Sequence, residues 1–301
     1  MSTALRIGTR DSALALWQAE KVKSALEQSG TACEIVPIKS EGDLNLTTPI
    51  YQMGLTGVFT KTLDAALLSN HIDLAVHSLK DVPTLLAEGL TLSAILKRAN
   101  PQDVLVKGND AHSNTIATGS LRRKAQWLNR YPKDQVIGLR GNVQTRLNKV
   151  AEQPVKGGVF AAAGLERLGL DALQIEPLPW MIPAPAQGAI AVATRMQDEK
   201  AITTSKSLND DETALAVTIE REFLRRLEGG CSSPIGAYAY LENEVLFFKG
   251  GLFSLDGSKA VVVERRLSQD EALEHIDSLV NEVLENGGSA ILKSIRDGQH
   301  S

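Results

Sequence analysis

Two hydrophobic periods alternate along this chain. LRIGT (5–9) is a short apolar run of strand type, and Asp11 or Ser12 can cap a following helix in which Leu14, Trp17, Val22 and Leu26 recur at helical spacing. CEIVPI (33–38) reads as the next strand, TKTLDAALLSN (60–70) as a helix and IDLAVHS (72–78) as a strand with a polar end. The rhythm resumes with strand TIATG (115–119), helix SLRRKAQWLNRY (120–131), strand DQVIGL (134–139), helix NVQTRLNKVAEQ (142–153) and strand GGVFAAAG (157–164). Strands alternating with helices predict an α/β protein with mostly parallel sheets covered on both faces.

Two stretches break the pattern. KRANPQD (97–103) interrupts it with a proline, and PLPWMIPAPAQG (177–188) carries four, too many for a regular element. After Asn209, DDETALAVTIEREFLRRL (210–227) is a helix with an acidic first turn and a basic end, which suits the macrodipole. Beyond Cys231 come EVLFFKGGLFS (244–254), a DG turn at 256–257, AVVVERRLS (260–268) and one long helix ending at Asn286. The pattern therefore predicts two α/β domains and a smaller α+β domain at the C-terminal end.

Composition narrows the class. The chain has 301 residues, 43% hydrophobic and 23% charged, as in a soluble globular protein of more than one domain. The opening residues show no basic leader before an apolar stretch, and no window offers about 18 uninterrupted apolar residues. A cytoplasmic protein with two reduced thiols and no membrane partner is expected. The net charge of −4 argues against a nucleic-acid partner, yet residues 118–147 hold seven basic residues, Arg122, Arg123, Lys124, Arg130, Lys133, Arg140 and Arg146, against one acid, Asp134. A basic island in an acidic chain points to a small anionic ligand. A single-strand nucleic-acid binder would interleave aromatics there, and only Trp127 and Tyr131 are available.

In open α/β sheets, ligands sit beyond the C-terminal ends of the strands, so the polar residues in those turns carry the candidate chemistry. Arg10 follows the first strand; its ordinary reading is a surface arginine bonding its own loop. AVHSLKDVP (75–83) ends a buried strand in Ser78, Lys80 and Asp81, where a carboxylate can serve as general acid or base, face a developing cation, or cap the turn. ATGSLRRKAQ (117–126) starts a helix with Thr118 and Ser120 as candidate caps and Arg122 and Arg123 in the first turn. Cations there oppose the helix dipole unless an anion joins them. LRGNVQTRL (139–147) repeats the arrangement with Arg140, Asn142 and Arg146, and Arg167 in GLERLGL is either a further contact or a solvated face. Arginine in most of these places suits two-pronged binding of carboxylate or phosphate.

No phosphate loop, dinucleotide fingerprint or zinc spacing is present, and five histidines without paired spacing predict no metal centre. Cys33 lies in an apolar strand, whereas Cys231 sits in LEGGCSSPIGAY (227–238) between a glycine pair and a serine pair. No base neighbours it, so Cys231 is expected to carry a group rather than attack one.

LRIGTRDSALALWQA, DLAVHSLKDVP, SLRRKAQ, LRGNVQTRL, AAAGLERLGL, AQGAIAV and LEGGCSSPIGAY, in that order over nearly the whole chain, resemble the porphobilinogen deaminase (hydroxymethylbilane synthase) family. The resemblance implies two α/β domains like periplasmic binding proteins plus a third, here 1–97 with 189–208, 101–184, and 210–301. It implies a typically monomeric transferase that converts porphobilinogen, through loss of ammonia to an azafulvene, into hydroxymethylbilane. It further implies a dipyrromethane cofactor joined by a thioether to Cys231. By motif, Asp81 is then catalytic; Ser78, Lys80, Asp81, Thr118, Ser120, Arg122, Arg123 and Arg140 hold the cofactor, and Arg10, Arg140, Arg146, Arg167 and Gln187 contact substrate.

Some positions depart from the family pattern. The usual GGKGLF reads MGLTGVF, with Thr56 for a lysine and Gln52 where a second lysine is common. GTSSLRR, RGNVGTR and GQGA read ATGSLRR, RGNVQTR and AQGA. None touches Asp81, Cys231 or the arginines. An anion- or effector-binding protein with a periplasmic-binding-protein fold is the alternative, needing the same arginines but neither Asp81 nor the exposed cysteine.

Overall fold

A computed structural model describes residues 4–39, 60–170, 173–227 and 233–299. The first stretch of alternation folds as β1 (Leu5–Arg10), α1 (Ala13–Gln28), β2 (Cys33–Ile38), α2 (Lys61–Leu68), β3 (Leu74–Ser78) and β4 (Leu90–Ile95). The second gives β5 (Asp103–Lys107), β6 (Thr115–Ala117), α3 (Leu121–Arg130), β7 (Gln135–Ile137), α4 (Val143–Glu152), β8 (Gly157–Ala161), α5 (Ala162–Glu166) and β9 (Ile175–Pro177). Then come β10 (Ile190–Arg195), α6 (Glu199–Lys206), α7 (Asp211–Arg226), β11 (Ile235–Glu242), β12 (Val245–Phe253), β13 (Ala260–Ser268), α8 (Ile276–Val283) and α9 (Ser289–Gln299).

The α/β class with a smaller α+β unit is as the pattern predicts, but the sheets are mixed rather than mostly parallel. Their orders are β2-β1-β3-β10-β4 and β7-β6-β8-β5-β9. In the first, β1 runs parallel to β2 and β3, while β10 is antiparallel to β3 and β4. In the second, β6 is parallel to β7 and β8, while β5 is antiparallel to β8 and β9. Each antiparallel strand follows one of the two irregular stretches, so the chain enters a sheet from the far side. β10, IAVATR, is buried on both faces and shows no alternation to read.

Caps are locally encoded. Ser12, Ser120 and Asn142 hold extended backbone and accept hydrogen bonds from Ala15 N, Arg123 N and Thr145 N, at the starts of α1, α3 and α4. In α1 the buried side is Gln18, Ala19, Val22 and Leu26; Trp17, expected inside, faces out beneath the Arg167 guanidinium, 5.7 Å from its ring. The third unit is the antiparallel sheet β11-β12-β13 packed on α7, α8 and α9 through Phe223, Ile219, Phe248, Ile276 and Val283. The long helix expected to end at Asn286 is only α8, from Ile276 to Val283; a turn at 284–288, where Gly287 has φ +107°, follows it, and α9 beyond lies outside that expectation.

Contacts among the described residues seat this unit against the others, a turn and a buried carboxylate among them. The DG turn places Gly257 at φ +74° against α3, where Asn129 Nδ2 donates to its carbonyl at 2.8 Å; a Cβ there would meet Asn129 N at 2.5 Å. Glu220 of α7, with no exposed surface, accepts from Arg98 Nη1 (2.6 Å) and Nη2 (3.1 Å), Ala186 N (2.6 Å) and Ala239 N (2.7 Å). That one carboxylate ties both irregular stretches to the third sheet.

Candidate active site

The candidate side chains come from strand ends and helix starts that face one another. Arg10 closes β1, and Ser78 closes β3 and leads into a 3₁₀ turn, Leu79–Asp81. Arg10, Ser12, Gln18, His77, Ser78 and Asp81 line one pocket. Within it Gln18 Nε2 donates to Ser78 Oγ at 2.8 Å. Burial, with Arg10 nearby, holds the His77 imidazole down at about 4, so it is neutral at pH 7. Asp81 is half-buried, forms no ion pair and accepts no hydrogen bond from any described residue. It is a carboxylate left available.

Arg122 and Arg123 turn inward from the first turn of α3 and are buried. Their counter-ion is Asp103, the first residue of β5, which has no exposed surface. Asp103 Oδ2 accepts from Arg122 Nη1 at 2.7 Å; Oδ1 accepts from Arg123 Nε (3.0 Å), Arg123 Nη2 (2.8 Å) and Gln187 Nε2 (2.9 Å). Burial alone would raise this carboxyl, but the two guanidiniums outweigh it and bring its pKa to about 2. Arg122 also donates to Ile182 O and Arg123 to Val159 O.

Gln187 links the units. Its Nε2 reaches Pro101 O (2.7 Å) as well as Asp103, and its Oε1 accepts from Lys80 Nζ (3.4 Å) and Arg123 Nη2 (3.5 Å). Its neighbour Gly188 has φ +89°, and a Cβ there would lie 2.6 Å from Ala99 O. Lys80 keeps some exposed surface, yet its surroundings are dense: burial first, then Arg123 and Arg122, lower its pKa to about 8 against the pull of Asp81 and Asp103. Arg146 bonds Gly141 O at 2.7 Å; burial first, then Arg123, Arg140 and Arg10, bring it down to about 10, with Asp81 opposing. Arg146 of the second unit thus shares one electrostatic field with Arg10 and Asp81 of the first.

The unfolded chain holds a lysine proton to about pH 10.5, and the folded chain holds that of Lys80 only to about 8. Stability in this window therefore rises with pH from about 8 to 10.5, and the position is least favourable below 8. In protein free of bound anions, the urea midpoint of wild type is expected to rise relative to that of Lys80→Gln between pH 8 and 10. Parallel courses would show that Lys80 is not desolvated.

Among the described residues, this arrangement gathers more positive charge than Asp81 and Asp103 carry negative. Arg122 Nε and Arg167 Nε are buried without a hydrogen-bond partner among the described residues. Such a cleft fits a ligand rich in carboxylates. The family model for the dipyrromethane cofactor binding domain of porphobilinogen deaminase matches residues 5–203, and that for its C-terminal domain matches 214–285. The chain is 38% identical to the porphobilinogen deaminase of Desulforamulus reducens over 309 aligned residues, covering 99% of this chain and all of that protein. The chain belongs to the porphobilinogen deaminase family.

As a member of this family it is a hydroxymethylbilane synthase of tetrapyrrole and heme biosynthesis, working with a dipyrromethane cofactor; the alternative of a binding protein without chemistry is not favoured. Looser overlaps occur with the periplasmic VFT2 domain of Bordetella pertussis BvgS (TM-score 0.40, 16% identity, 70% of this chain and 90% of that one). The same holds for an amino-acid transporter substrate-binding protein of Streptococcus pneumoniae bound to L-arginine (TM-score 0.36, 13%, 68% and 86%). Neither bears on the site.

Of the residues singled out from sequence, Arg10, Ser78, Asp81, Lys80, Gln187, Arg123, Arg140 and Arg146 fall within one set of contacts and fields. Cys231 lies outside the described residues, as do Gln52 and Thr56. Thr118 is buried and accepts from Ser120 N at 3.3 Å, while Ser120 caps α3. Arg167 donates to Gly188 O at 2.6 Å, and burial brings it to about 10. Asp103, Gln18 and His77 are not among the residues singled out from sequence; for Asp103 the signal available is an acid that closes an irregular stretch two residues after Pro101, which is weak.

Proposed function

We propose that Asp81 is the catalytic carboxylate and that the surrounding cations hold the carboxylates of the cofactor and of the growing chain. The observation that carries this is the convergence of Arg10, Arg123, Arg140, Arg146 and Lys80, drawn from both five-stranded units, around Asp81, a carboxylate that accepts no hydrogen bond from any described residue. In this reading Asp81 faces the pyrrole N–H groups and the positive charge that develops as ammonia leaves porphobilinogen, and assists proton transfer. Ser78, Lys80, Thr118, Ser120, Arg122, Arg123 and Arg140 are assigned to the cofactor, and Arg10, Arg140, Arg146, Arg167 and Gln187 to the substrate. For Arg122 and Arg123 this refines the sequence argument: Asp103 already offsets part of their charge, so they present the surplus rather than two bare cations.

When bound, the dipyrromethane supplies the nucleophilic pyrrole carbon to which the first substrate ring is added. Cys231 is its attachment point in this reading, in the unit that spans 210–301, with 1–97 plus 189–208 and 101–184 as the other two. The enzyme acts as a cytoplasmic monomer on porphobilinogen, without nucleic-acid or membrane partner; among the described residues no helix is long and apolar enough to cross a membrane. The test is the intact mass of purified protein. Wild type is expected to carry the added mass of two condensed pyrroles and Cys231→Ser to show the bare chain. Bare wild type after incubation with porphobilinogen would overturn the attachment.

A further inference from the structure

The turn that bears Lys80 and Asp81 ends on backbone carbonyls that one side chain of the third unit collects. Arg221, near the middle of α7, donates from Nη1 to Val82 O (2.9 Å) and Leu79 O (3.4 Å), and from Nη2 to Pro83 O (2.7 Å). Across the turn, Leu79 N donates to Ala189 O at 3.0 Å. Leu79 and Val82 are buried together with Val217, one helical turn before Arg221, and with Ala186 and Ala189. Apolar packing thus keeps the turn on α7, while the planar fork of a guanidinium sets its direction through two nitrogens at once, which an ammonium on a flexible stem does not. The three carbonyls bracket Lys80 and Asp81 in sequence. The adjacent Glu220 grips Arg98 and Ala186, so one turn of α7 holds both the acidic turn and the crossings between units.

We propose that Arg221 is a positioning residue for Asp81: by holding the carbonyls of Leu79, Val82 and Pro83 it aims the Asp81 carboxylate at the substrate. This rests on the reading of Asp81 as the catalytic carboxylate. A displacement of about 1 Å in such a group costs on the order of 10²-fold in rate.

The experiment uses the full-length, cofactor-loaded protein, with the loaded fraction read from intact mass. In Arg221→Ala and Arg221→Lys, kcat per loaded molecule is expected to fall ~10- to 100-fold with KM within about twofold of wild type. Amide hydrogen exchange in the peptide spanning residues 79–83 is expected to quicken in both, with the rest of the chain unchanged. Wild type and Asp81→Asn are run beside them: a wild type that does not turn over porphobilinogen, or a fully active Asp81→Asn, refutes the underlying reading and the proposal with it. With those controls as expected, wild-type kcat per loaded molecule in Arg221→Ala overturns the proposal. So does a loss that Arg221→Lys restores, or one accompanied by faster exchange throughout the chain or by none in 79–83.

Discussion

Asp81→Asn is expected to lower kcat per cofactor-loaded molecule by about 10²- to 10⁴-fold, the range for removing a positioned acid–base group. The substitution keeps size and shape and removes only the charge and the proton acceptor. Its structural cost is expected to be small, because Asp81 forms no ion pair and accepts no hydrogen bond from any described residue, and Leu79 and Val82, not Asp81, anchor the turn. A carboxylate standing beside Lys80 and within the field of Arg146 without bonding either is held back for something else. In the proposed reading the surrounding cations matter equally: a carboxylate-bearing substrate drawn in by Arg10, Arg140 and Arg146 would be brought against Asp81, which no described residue neutralises by an ion pair. The measurement is single-turnover ammonia release together with urea unfolding. A thousandfold loss with an unchanged midpoint places the effect in the chemistry; a loss of less than about threefold would remove Asp81 from the catalytic role.

How much of this was legible from sequence depends on how far apart the cooperating residues lie. The turn at 78–81 and the helix starts at 120 and 142 are each contained in a string of a few residues, where strand end, cap and charge appear together. Ser12, Ser120 and Asn142 therefore cap as expected. Asp103 is different. It closes the irregular stretch 97–103, and its meaning depends on β5 entering the second sheet antiparallel to β8, which brings it under Arg122 and Arg123, 19 and 20 residues on. Glu220 reads as one more acid in an amphipathic helix, yet it has no exposed surface and collects four donors from Arg98, Ala186 and Ala239. Trp17 fits the apolar period of α1, and a guanidinium from the second unit draws it outward. Residues whose partners are local could be read; those whose partners arrive by topology could not.

Asp103→Asn is expected to cost about 3–5 kcal/mol in unfolding free energy, the penalty for removing one side of a buried ion pair. The amide can still accept from one or two donors, but it leaves Arg122 and Arg123 as uncompensated buried cations beside Lys80. The acid limb gives an independent check. With a folded pKa near 2 against an ordinary value of 3.8, Asp103 contributes stability that is fully present above about pH 4 and is lost as pH falls toward 2. Asp103→Asn should therefore lose less stability than wild type over that interval. Anions separate the two readings of the arginines. If Asp103 is their main counter-ion and the ligand takes the surplus, a polycarboxylate should stabilise the variant more than wild type, because it binds only the folded chain and now meets one more unanswered positive charge. If Arg122 and Arg123 serve a ligand alone, the substitution should cost less than about 1 kcal/mol and leave the polycarboxylate effect unchanged. The geometry favours the first outcome, since the Asp103 carboxylate accepts four hydrogen bonds and three of them come from these two arginines.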